Sequence, residues 1–408
     1  MENIRWPRMI ALVDMNAFFA SIEQADYPEW QGLPVGVTNG RTGTCIITCS
    51  YEARAYGIKT GMRIKEARQL CPDFIQVPAR PERYVEVSTR IMAALEDITP
   101  RVEVFSVDEA FLELTDCQRL WGSAGRMGHL IKQTVHKVSG LSCSVGVSGD
   151  KTTAKYAAKL NKPDGLCIIP PWEAQQRLAP VPVTELCGIS TGIGRFLAER
   201  GVHTCGDMKK LPIGELAQRF GNPGRRIWYM CQGQDPEKLV TQVPAPKSIG
   251  HGKVVPPNTR DRAVIHTWLL HMSEKVATRL RRHALEACKF SIGLRTSQGW
   301  AGDTLKTAFP TQDGGRIMML CELVLGEYWD GEGIFQVQVT ALHPQPKGQQ
   351  LSLFGYDTRK VDAFNQVMDC VNERYGEFVL APARLLKRSD MPNVIAPAWK
   401  PFGHRKTI

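Results

Sequence analysis

Carboxylates that follow or interrupt buried strands restrict the folds open to this chain more than any other feature. A short apolar run predicts a buried strand that leads into Asp14. Residues 102–107 and 110–114 predict a strand pair that brackets Asp108 and Glu109. A carboxylate beside buried strands is costly unless it is paired or bound to a cation. The pattern therefore predicts a sheet that brings these three acids together at a cation site.

Three carboxylates from neighbouring strands match the oxygen ligands that Mg²⁺ prefers. Two such ions can clamp the attacking and leaving oxygens of an in-line phosphoryl transfer. Taken singly, each acid has a plainer interpretation, a buried carboxylate satisfied by arginine or by backbone amides. Asp108 and Glu109 are consecutive, so on a flat strand their side chains would point to opposite faces. We therefore expect the backbone to turn there, at a hairpin bend.

Composition narrows the class of protein. At 408 residues the chain is long enough for about two to four domains. Its formal net charge of +10 favours a polyanionic partner, nucleic acid or an acidic membrane surface. No run approaches ~18 consecutive apolar residues, so we expect no membrane span. The 12 cysteines do not have the spacing of a zinc site, and the sequence shows no secretory signal. We therefore expect reduced thiols in a cytoplasmic protein.

The remaining sequence predicts an α+β protein of several domains. Residues 25–80 predict a helix-rich insertion, and residues 171–240 predict short helices joined by glycine turns. Residues 241–246 have the extended, proline-punctuated character of a linker. Residues 247–343 then predict the order β-α-β-β-α-β, a ferredoxin-like domain. Residues 344–408 form a less regular tail with one amphipathic helix.

A basic and aromatic segment follows the first predicted strands. Tyr51 and Arg54 are i,i+3 neighbours on a predicted helix, so a hydroxyl and a guanidinium can grip one triphosphate. Lys162, in the turn after a helix predicted at 151–160, adds a point charge. Taken alone, the segment is more often a solvated helix.

Two further groups point to DNA. Gly188 and Gly192 lie in a segment typical of a helix-hairpin-helix, whose glycine turn lets backbone amides approach a phosphate. Ser190 stands where a second turn glycine is usual, and a plain αα-hairpin is the alternative. A long helix predicted at 261–287 carries three arginines near its end, Arg279, Arg281 and Arg282. They can face DNA phosphates or belong to a solvated helix face, and the sequence favours neither interpretation.

The tail contains an apolar peptide after a tether rich in proline, glycine and glutamine. Its residues are Gln350, Leu351, Ser352, Leu353 and Phe354. Exposed leucines and a phenylalanine on such a tether suggest an anchor that inserts into a pocket of a partner. The alternative is that they pack onto their own domain.

With these residues in place, the chain resembles the Y-family, lesion-bypass DNA polymerases of the bacterial polymerase IV and UmuC type. The resemblance covers residues 8–354. Four motifs occur in the family's order: the first motif at 13–20, the finger motif at 51–57, the catalytic hairpin at 106–111, and the closing palm motif at Lys155 and 162–165.

The resemblance implies a right-hand polymerase with a ferredoxin-like little finger. It assigns the palm to 1–24 and 81–170, small fingers to 25–80, a helix-hairpin-helix thumb to 171–240, and the little finger to 247–343. It implies error-prone translesion synthesis from dNTPs at a primer 3′-end, without proofreading. The implied partners are primer-template DNA and, through residues 350–354, a sliding clamp. No self-complementary interface is evident, so we expect a monomer.

The resemblance also implies roles for single residues. Asp14, Asp108 and Glu109, with the backbone of Met15, would hold two Mg²⁺ ions. Tyr51, Arg54, Lys162 and the backbone around Phe18 and Phe19 would bind the dNTP. Phe19 would be the steric gate, because its ring would occupy the place of a ribose 2′-OH. Asn16 departs from the pattern, since some relatives carry an acid there.

Two other functions keep the same architecture. A catalytically silent relative would serve as a clamp-tethered, DNA-binding adaptor, and such a protein would be expected to lose its metal carboxylates. A nucleotide cyclase would keep the palm but have no use for the hairpin or the clamp-like peptide. Mg²⁺-dependent primer extension separates the polymerase from the adaptor.

Overall fold

The computed structural model describes residues 5–40, 43–242, 245–348 and 359–387. They form two compact units, one ending at residue 242 and the other beginning at residue 245. Each unit has hydrophobic cores of its own. The two are described in turn.

The first unit is built on a five-stranded sheet. In chain order its elements are β1 (Ile10–Met15), α1 (Phe18–Asp26), β2 (Val35–Thr38), β3 (Ile46–Cys49), α2 (Tyr51–Ala55), α3 (Ile64–Leu70), β4 (Ile75–Pro78), α4 (Pro81–Glu96), β5 (Val102–Val104), β6 (Glu109–Glu113), α5 (Gln118–Trp121), α6 (Ala124–Ser139), β7 (Cys143–Ser148), α7 (Lys151–Leu160) and β8 (Leu166–Ile168). The strand order in the sheet is β5-β6-β1-β7-β8. Strand β1 pairs antiparallel with both β6 and β7, so it lies at the centre of the sheet.

The two faces of β1 enter different cores, which explains its unbroken apolar run. Ala11 and Val13 join the large core formed with α1, α4 and α6. Ile10 and Leu12 point to the opposite face, where they pack with residues of α7. Because side chains alternate along a strand, Asp14 belongs to the α7 face.

Helix α7 coincides with the predicted helix 151–160. Its N-cap is Asp150, whose carboxylate accepts a hydrogen bond from the Thr153 amide at 2.9 Å. The helix packs directly on β7, because a Cβ at Gly146 would lie 2.1 Å from the Ala154 carbonyl oxygen. This close approach places the lysines of α7 beside the sheet.

The insertion between α1 and α4 differs from its prediction. Residues 25–80 were expected to be helix-rich, but β2, β3 and β4 form a three-stranded sheet there, with the order β3-β2-β4. Short helices α2 and α3 pack against it in a small core. The strands are four residues each, too short for an alternating pattern to stand out from the surrounding turns.

The end of the first unit is helical and has a core of its own. It contains α8 (Pro171–Leu178), α9 (Thr191–Ala198), α10 (Ile213–Phe220) and α11 (Asn222–Met230). Single 3₁₀ turns at Val183–Glu185 and Gly206–Lys210 connect them. The predicted short helices joined by glycine turns are confirmed.

The second unit confirms the predicted order β-α-β-β-α-β. Its elements are β9 (Ser248–Thr259), α12 (Arg262–Arg282), β10 (Leu285–Arg295), β11 (Trp300–Thr311), α13 (Gly314–Tyr328) and β12 (Ile334–Leu342), followed by the short β13 (Gln345–Pro346) and by α14 (Arg359–Tyr375). The four long strands are all antiparallel to their neighbours, in the order β11-β10-β12-β9. Helices α12 and α13 share one core with the inward side chains of the strands.

The long helix of this unit is shorter than predicted. Residues 261–287 were expected to be one helix, but α12 ends at Arg282. Ala284 has a left-handed φ of 51°, which stops the helix, and Leu285 already belongs to β10. Leu285 and Ala287 are both buried, and a spacing of two residues is consistent with a strand as well as with the end of an apolar helix.

Two expectations about the whole chain can be compared with the described ranges. None of the helices there is long and apolar enough to cross a membrane. All 12 cysteines lie within these ranges, and each is a free thiol.

Candidate active site

The three predicted acidic residues lie at one end of the central strand. Asp14 lies opposite Glu109 in the register of β1 and β6. Asp108 is the last residue of the turn that precedes β6, and its carbonyl oxygen accepts a hydrogen bond from the Met15 amide at 3.0 Å. The predicted bend at Asp108 and Glu109 is therefore confirmed. The first predicted strand of this pair ends earlier than expected, at Val104.

Two lysines neutralise two of these acids. Lys162 Nζ lies 2.5 Å from Asp14 Oδ1. Lys155 Nζ, on α7, lies 2.7 Å from Glu109 Oε1 and 2.6 Å from Oε2. Asp108 accepts a hydrogen bond from Ser106 Oγ at 2.6 Å. The acids are thus held by two ammonium groups and a hydroxyl, whose place at a carboxylate a metal cation can take.

Burial raises the pKa of two of the three acids. Desolvation raises the pKa of Asp108, and the negative charge of Asp14 adds to the effect. Desolvation also raises the pKa of Glu109 to about 7, although the nearby Lys155 opposes that rise. Carboxylates held close together at such a cost are typical of a cation site.

The carboxylate oxygens of the three acids fit a hard divalent ion, but their side chains are not arranged around one position. Carboxylate oxygens are the ligands that Mg²⁺ prefers. In the ranges that the structure describes, no three His, Cys, Asp or Glu side chains are arranged around one metal position. The lysine contacts of Asp14 and Glu109 give a reason, because both carboxylates are turned towards ammonium groups.

Tyr51 and Arg54 form the expected pair beside this cluster. They lie on α2, with the guanidinium carbon of Arg54 4.6 Å from the centre of the Tyr51 ring. The Tyr51 hydroxyl is buried and has no hydrogen-bond partner among the described residues. Burial raises the pKa of Tyr51, and Asp14 is close enough to raise it further. The hydroxyl is therefore a donor that a bound anion can satisfy.

Phe18 and Phe19 begin α1 and are both buried. The Phe19 ring stacks on that of Tyr84, with 4.3 Å between ring centres and 12° between planes. Asn16 lies in the preceding turn and exchanges hydrogen bonds with the hydroxyl of Ser144 at 3.0 and 3.3 Å. The Asn16 amide thus both donates to and accepts from the buried Ser144 hydroxyl. An ionised acid at this position could only accept.

The predicted DNA contacts have different surroundings. Gly188 has a left-handed φ of 91° and, like Gly192, has open space where a side chain would be. Both glycines flank Ser190, the N-cap of α9. Backbone amides at this turn are accessible from outside.

The three arginines of α12 do not behave as one group. Arg279 donates to the Gly250 carbonyl at 2.7 Å, and burial lowers its pKa. Arg281 forms two hydrogen bonds to Asp369 of α14, at 2.6 and 2.7 Å. Both therefore make contacts inside their own unit, whereas the sequence left DNA phosphates and a solvated helix face equally open for all three arginines. Arg282 is exposed.

The clamp-like peptide Gln350–Phe354 lies outside the described residues. The structure also identifies residues that sequence reasoning did not place in the site. Lys155 belongs to the closing palm motif, which assigns it no partner, and Tyr84 lies outside the four motifs. Tyr84 lies 65 positions after Phe19, and no local pattern joins the two. For Lys155, its spacing of four from Lys151 on a helix was the available signal.

Sequence patterns of known families match most of the chain. The pattern of the impB/mucB/samB family matches residues 13–159, and that of its C-terminal domain matches residues 246–353. Between them, the pattern described as the DNA polymerase-iota thumb domain matches residues 184–235. The three matches follow one another without overlap.

Known proteins are similar over nearly the whole length. A DNA polymerase IV of Moorella thermoacetica is 35% identical over 91% of this chain and 94% of its own. A DNA polymerase IV of Desulfatibacillum aliphaticivorans is 32% identical over 93% and 97%. A solved Y-family DNA polymerase chimera of Dbh and Dpo4 superposes with a TM-score of 0.72 at 27% identity, covering 83% of this chain and all of the chimera. The chain therefore belongs to the impB/mucB/samB family, the Y-family DNA polymerases of the polymerase IV type.

Proposed function

We propose that Asp14, Asp108 and Glu109 hold two Mg²⁺ ions in this DNA polymerase, with the backbone of Met15 as a further ligand. As a member of its family the chain is a DNA-directed DNA polymerase that carries out translesion synthesis. Polymerases of this kind depend on divalent metal ions. When bound, such ions stabilise the charge that develops on the attacking and leaving oxygens of the phosphoryl transfer.

One observation carries this assignment. Asp14 and Glu109 face each other across two paired strands, and each is neutralised by a lysine from outside the sheet. Two ion pairs that served only the fold would not need a third acid beside them. Asp108 is nevertheless present there, and burial raises its pKa. The unpaired hydroxyl of Tyr51 beside them supports a phosphate-bearing substrate.

The chain's own cations then act on the triphosphate. Lys162 is bound to Asp14 in the structure, and we infer that its ammonium group would contact the triphosphate when a dNTP is bound. Tyr51 donates its hydroxyl and Arg54 its guanidinium, because Arg54 packs on the Tyr51 ring and Asp14 is close enough to Tyr51 to raise its pKa. Phe19, at the start of α1, excludes a ribose 2′-OH by contact with its ring.

The parts of the chain receive the names that the resemblance predicts. We assign the palm to 1–24 and 81–170, the fingers to 25–80, the thumb to 171–240 and the little finger to 247–343. The accessible amides around Gly188 and Gly192 and the exposed Arg282 support non-specific contacts with DNA phosphates. The small fingers leave the new base pair loosely enclosed, which favours damaged templates and low fidelity. The monomeric state and cytoplasmic location stay predictions.

The assignment of the metal site is tested by Asp108→Ala. Primer extension with Mg²⁺ should fall by at least about 10³-fold, because the two-metal site loses a ligand. DNA affinity should stay within about twofold, since the phosphate contacts lie elsewhere. Extension by this variant at more than a tenth of the wild-type rate would overturn the assignment. Arg101→Ala is the matched control, because it removes an exposed ion pair of the same unit, from Arg101 to Asp116.

We also propose that residues 350–354 bind a sliding clamp. The support is their sequence, an apolar peptide on a polar tether. Deletion of the five residues should remove stimulation of primer extension by the clamp and leave extension without the clamp unchanged. Equal stimulation of the deleted and full-length chains would show that the clamp binds elsewhere.

A further inference from the structure

Tyr84 is a buried residue that contacts the proposed gate. It lies on α4, has no exposed surface, and stacks face to face on Phe19. A stacked ring at 4.3 Å leaves no space behind Phe19 into which that side chain can move. The position of the gate ring therefore depends on what holds Tyr84.

A single carboxylate holds the hydroxyl of Tyr84. Tyr84 Oη donates to Glu23 Oε1 at 2.6 Å, and Glu23 is only 1% exposed. Glu23 follows Phe19 by four residues on α1, so the two lie on the same face of the helix, one turn apart. Tyr84 thus contacts one helix at two points, with its ring on Phe19 and its hydroxyl on Glu23.

The charge of Glu23 is satisfied from the helix that carries Tyr84. Arg80, the N-cap residue of α4, donates from Nε to both Glu23 oxygens at 3.0 Å. Arg80 also binds Asp26, at the end of α1. Burial and the charge of Glu23 raise the pKa of Tyr84, so its hydroxyl stays protonated and donates. The four groups form a continuous series of contacts from Arg80 through Glu23 and Tyr84 to Phe19.

We propose that Glu23 and Tyr84 are positioning residues for sugar selection, which fix the Phe19 ring so that it cannot yield to a ribose 2′-OH. The proposal rests on the proposed role of Phe19 as the gate. A ring that can retreat rejects the extra hydroxyl weakly, whereas a ring backed by a fixed neighbour rejects it strongly. Phe19 can retreat only if Tyr84 moves, and Tyr84 can move only by breaking a buried hydrogen bond to a charged group.

Tyr84→Phe tests the proposal with little risk to folding. The variant keeps the stacked ring and leaves Glu23 paired with Arg80, but it removes the hydrogen bond that fixes the ring. The quantity measured is kcat/KM for insertion of a dNTP and of the matching rNTP opposite the same template base. The preference for the dNTP should fall about three- to tenfold. The fall should come from faster rNTP insertion, with dNTP insertion nearly unchanged.

Arg83→Gln is the matched control. It removes a separate ion pair between α1 and α4, from Arg83 to Asp26, and Arg83 has no hydrogen bond to Glu23 or Tyr84 among those described. Its sugar preference should equal that of the wild type. If Arg83→Gln and Tyr84→Phe lowered the preference equally, general loosening of the helix pair would be the cause and the proposal would be wrong.

The double variant separates this inference from the gate assignment. Phe19→Ala should abolish most of the sugar preference, and adding Tyr84→Phe should then change nothing further, because Tyr84 acts through Phe19. If Phe19→Ala leaves the preference unchanged, the gate assignment itself fails. If Phe19→Ala lowers it but Tyr84→Phe does not, Phe19 is the gate and the backing by Tyr84 and Glu23 is refuted.

Discussion

Lys151 and Lys155 lie one turn apart on α7, and each binds a glutamate of the neighbouring sheet. Lys151 pairs with Glu103 of β5, and both side chains are less than a tenth exposed. Lys155 pairs with Glu109 of β6, and these side chains are about a fifth exposed, at 23% and 17%. The chemistry of the two pairs is the same, but their accessibility differs.

The difference arises from what covers each pair. The Val240 amide donates to Glu103 at 2.9 Å, and Glu237 lies 3.3 Å from Lys151, so the segment after α11 closes over the first pair. In the second pair, Glu109 faces Asp14 and the turn that carries Asp108. A closed pair contributes to the fold, whereas an open pair can exchange its lysine for a ligand. Burial, and not residue type, therefore separates a structural pair from a functional one.

The largest expected effect is on stability, from Lys151→Met. This change leaves the buried Glu103 charge without its main partner, and the free energy of unfolding should fall by about 3–5 kcal/mol. Lys155→Met, the same change one turn along the helix, should cost less than about 1 kcal/mol, because Glu109 is easily protonated. Denaturant unfolding of both variants measures the contrast. Equal losses would show that the two pairs have the same structural role.

A smaller effect is expected in the pH dependence of metal binding. Burial raises the pKa of Glu109 to about 7, so below that pH the carboxyl is neutral and a proton competes with Mg²⁺. The apparent Mg²⁺ affinity should therefore rise with pH up to about 7 and level off above it. In Lys155→Met the opposing positive charge is gone, and the midpoint should move to higher pH. Calorimetric titration with Mg²⁺ at several pH values measures this, and an affinity independent of pH would contradict it.

Sequence reasoning reached the three proposed active-site acids because their signal is local. Asp14 follows a run of apolar residues, and Asp108 and Glu109 are consecutive, so even the bend of the backbone could be predicted from the alternation of side chains in strands. The helix at 151–160 and the β-α-β-β-α-β order were predictable for the same reason. Each depends on periodicity and end signals within a few residues.

Other features depend on residues far apart in the chain. Arg281 appeared to belong to a basic group, but its partner Asp369 lies 88 positions away and directs it inward. The three short strands of the insertion are stabilised by pairing with one another and not by their own sequence. In the second unit, β12 is placed between β9 and β10, an order that the list of elements does not contain.

By itself, the sequence determined the family to which the chain belongs, the strands beside Asp14, Asp108 and Glu109, and the proposal that these carboxylates form the active site. Only the tertiary structure decided which lysine pairs with which acid, and that Tyr84 and Glu23 stand behind Phe19. The physical reason is the distance along the chain over which each kind of signal acts. Strand alternation, caps and motifs act over a few residues, whereas burial and charge pairing are set by neighbours that the fold brings together from distant parts of the chain.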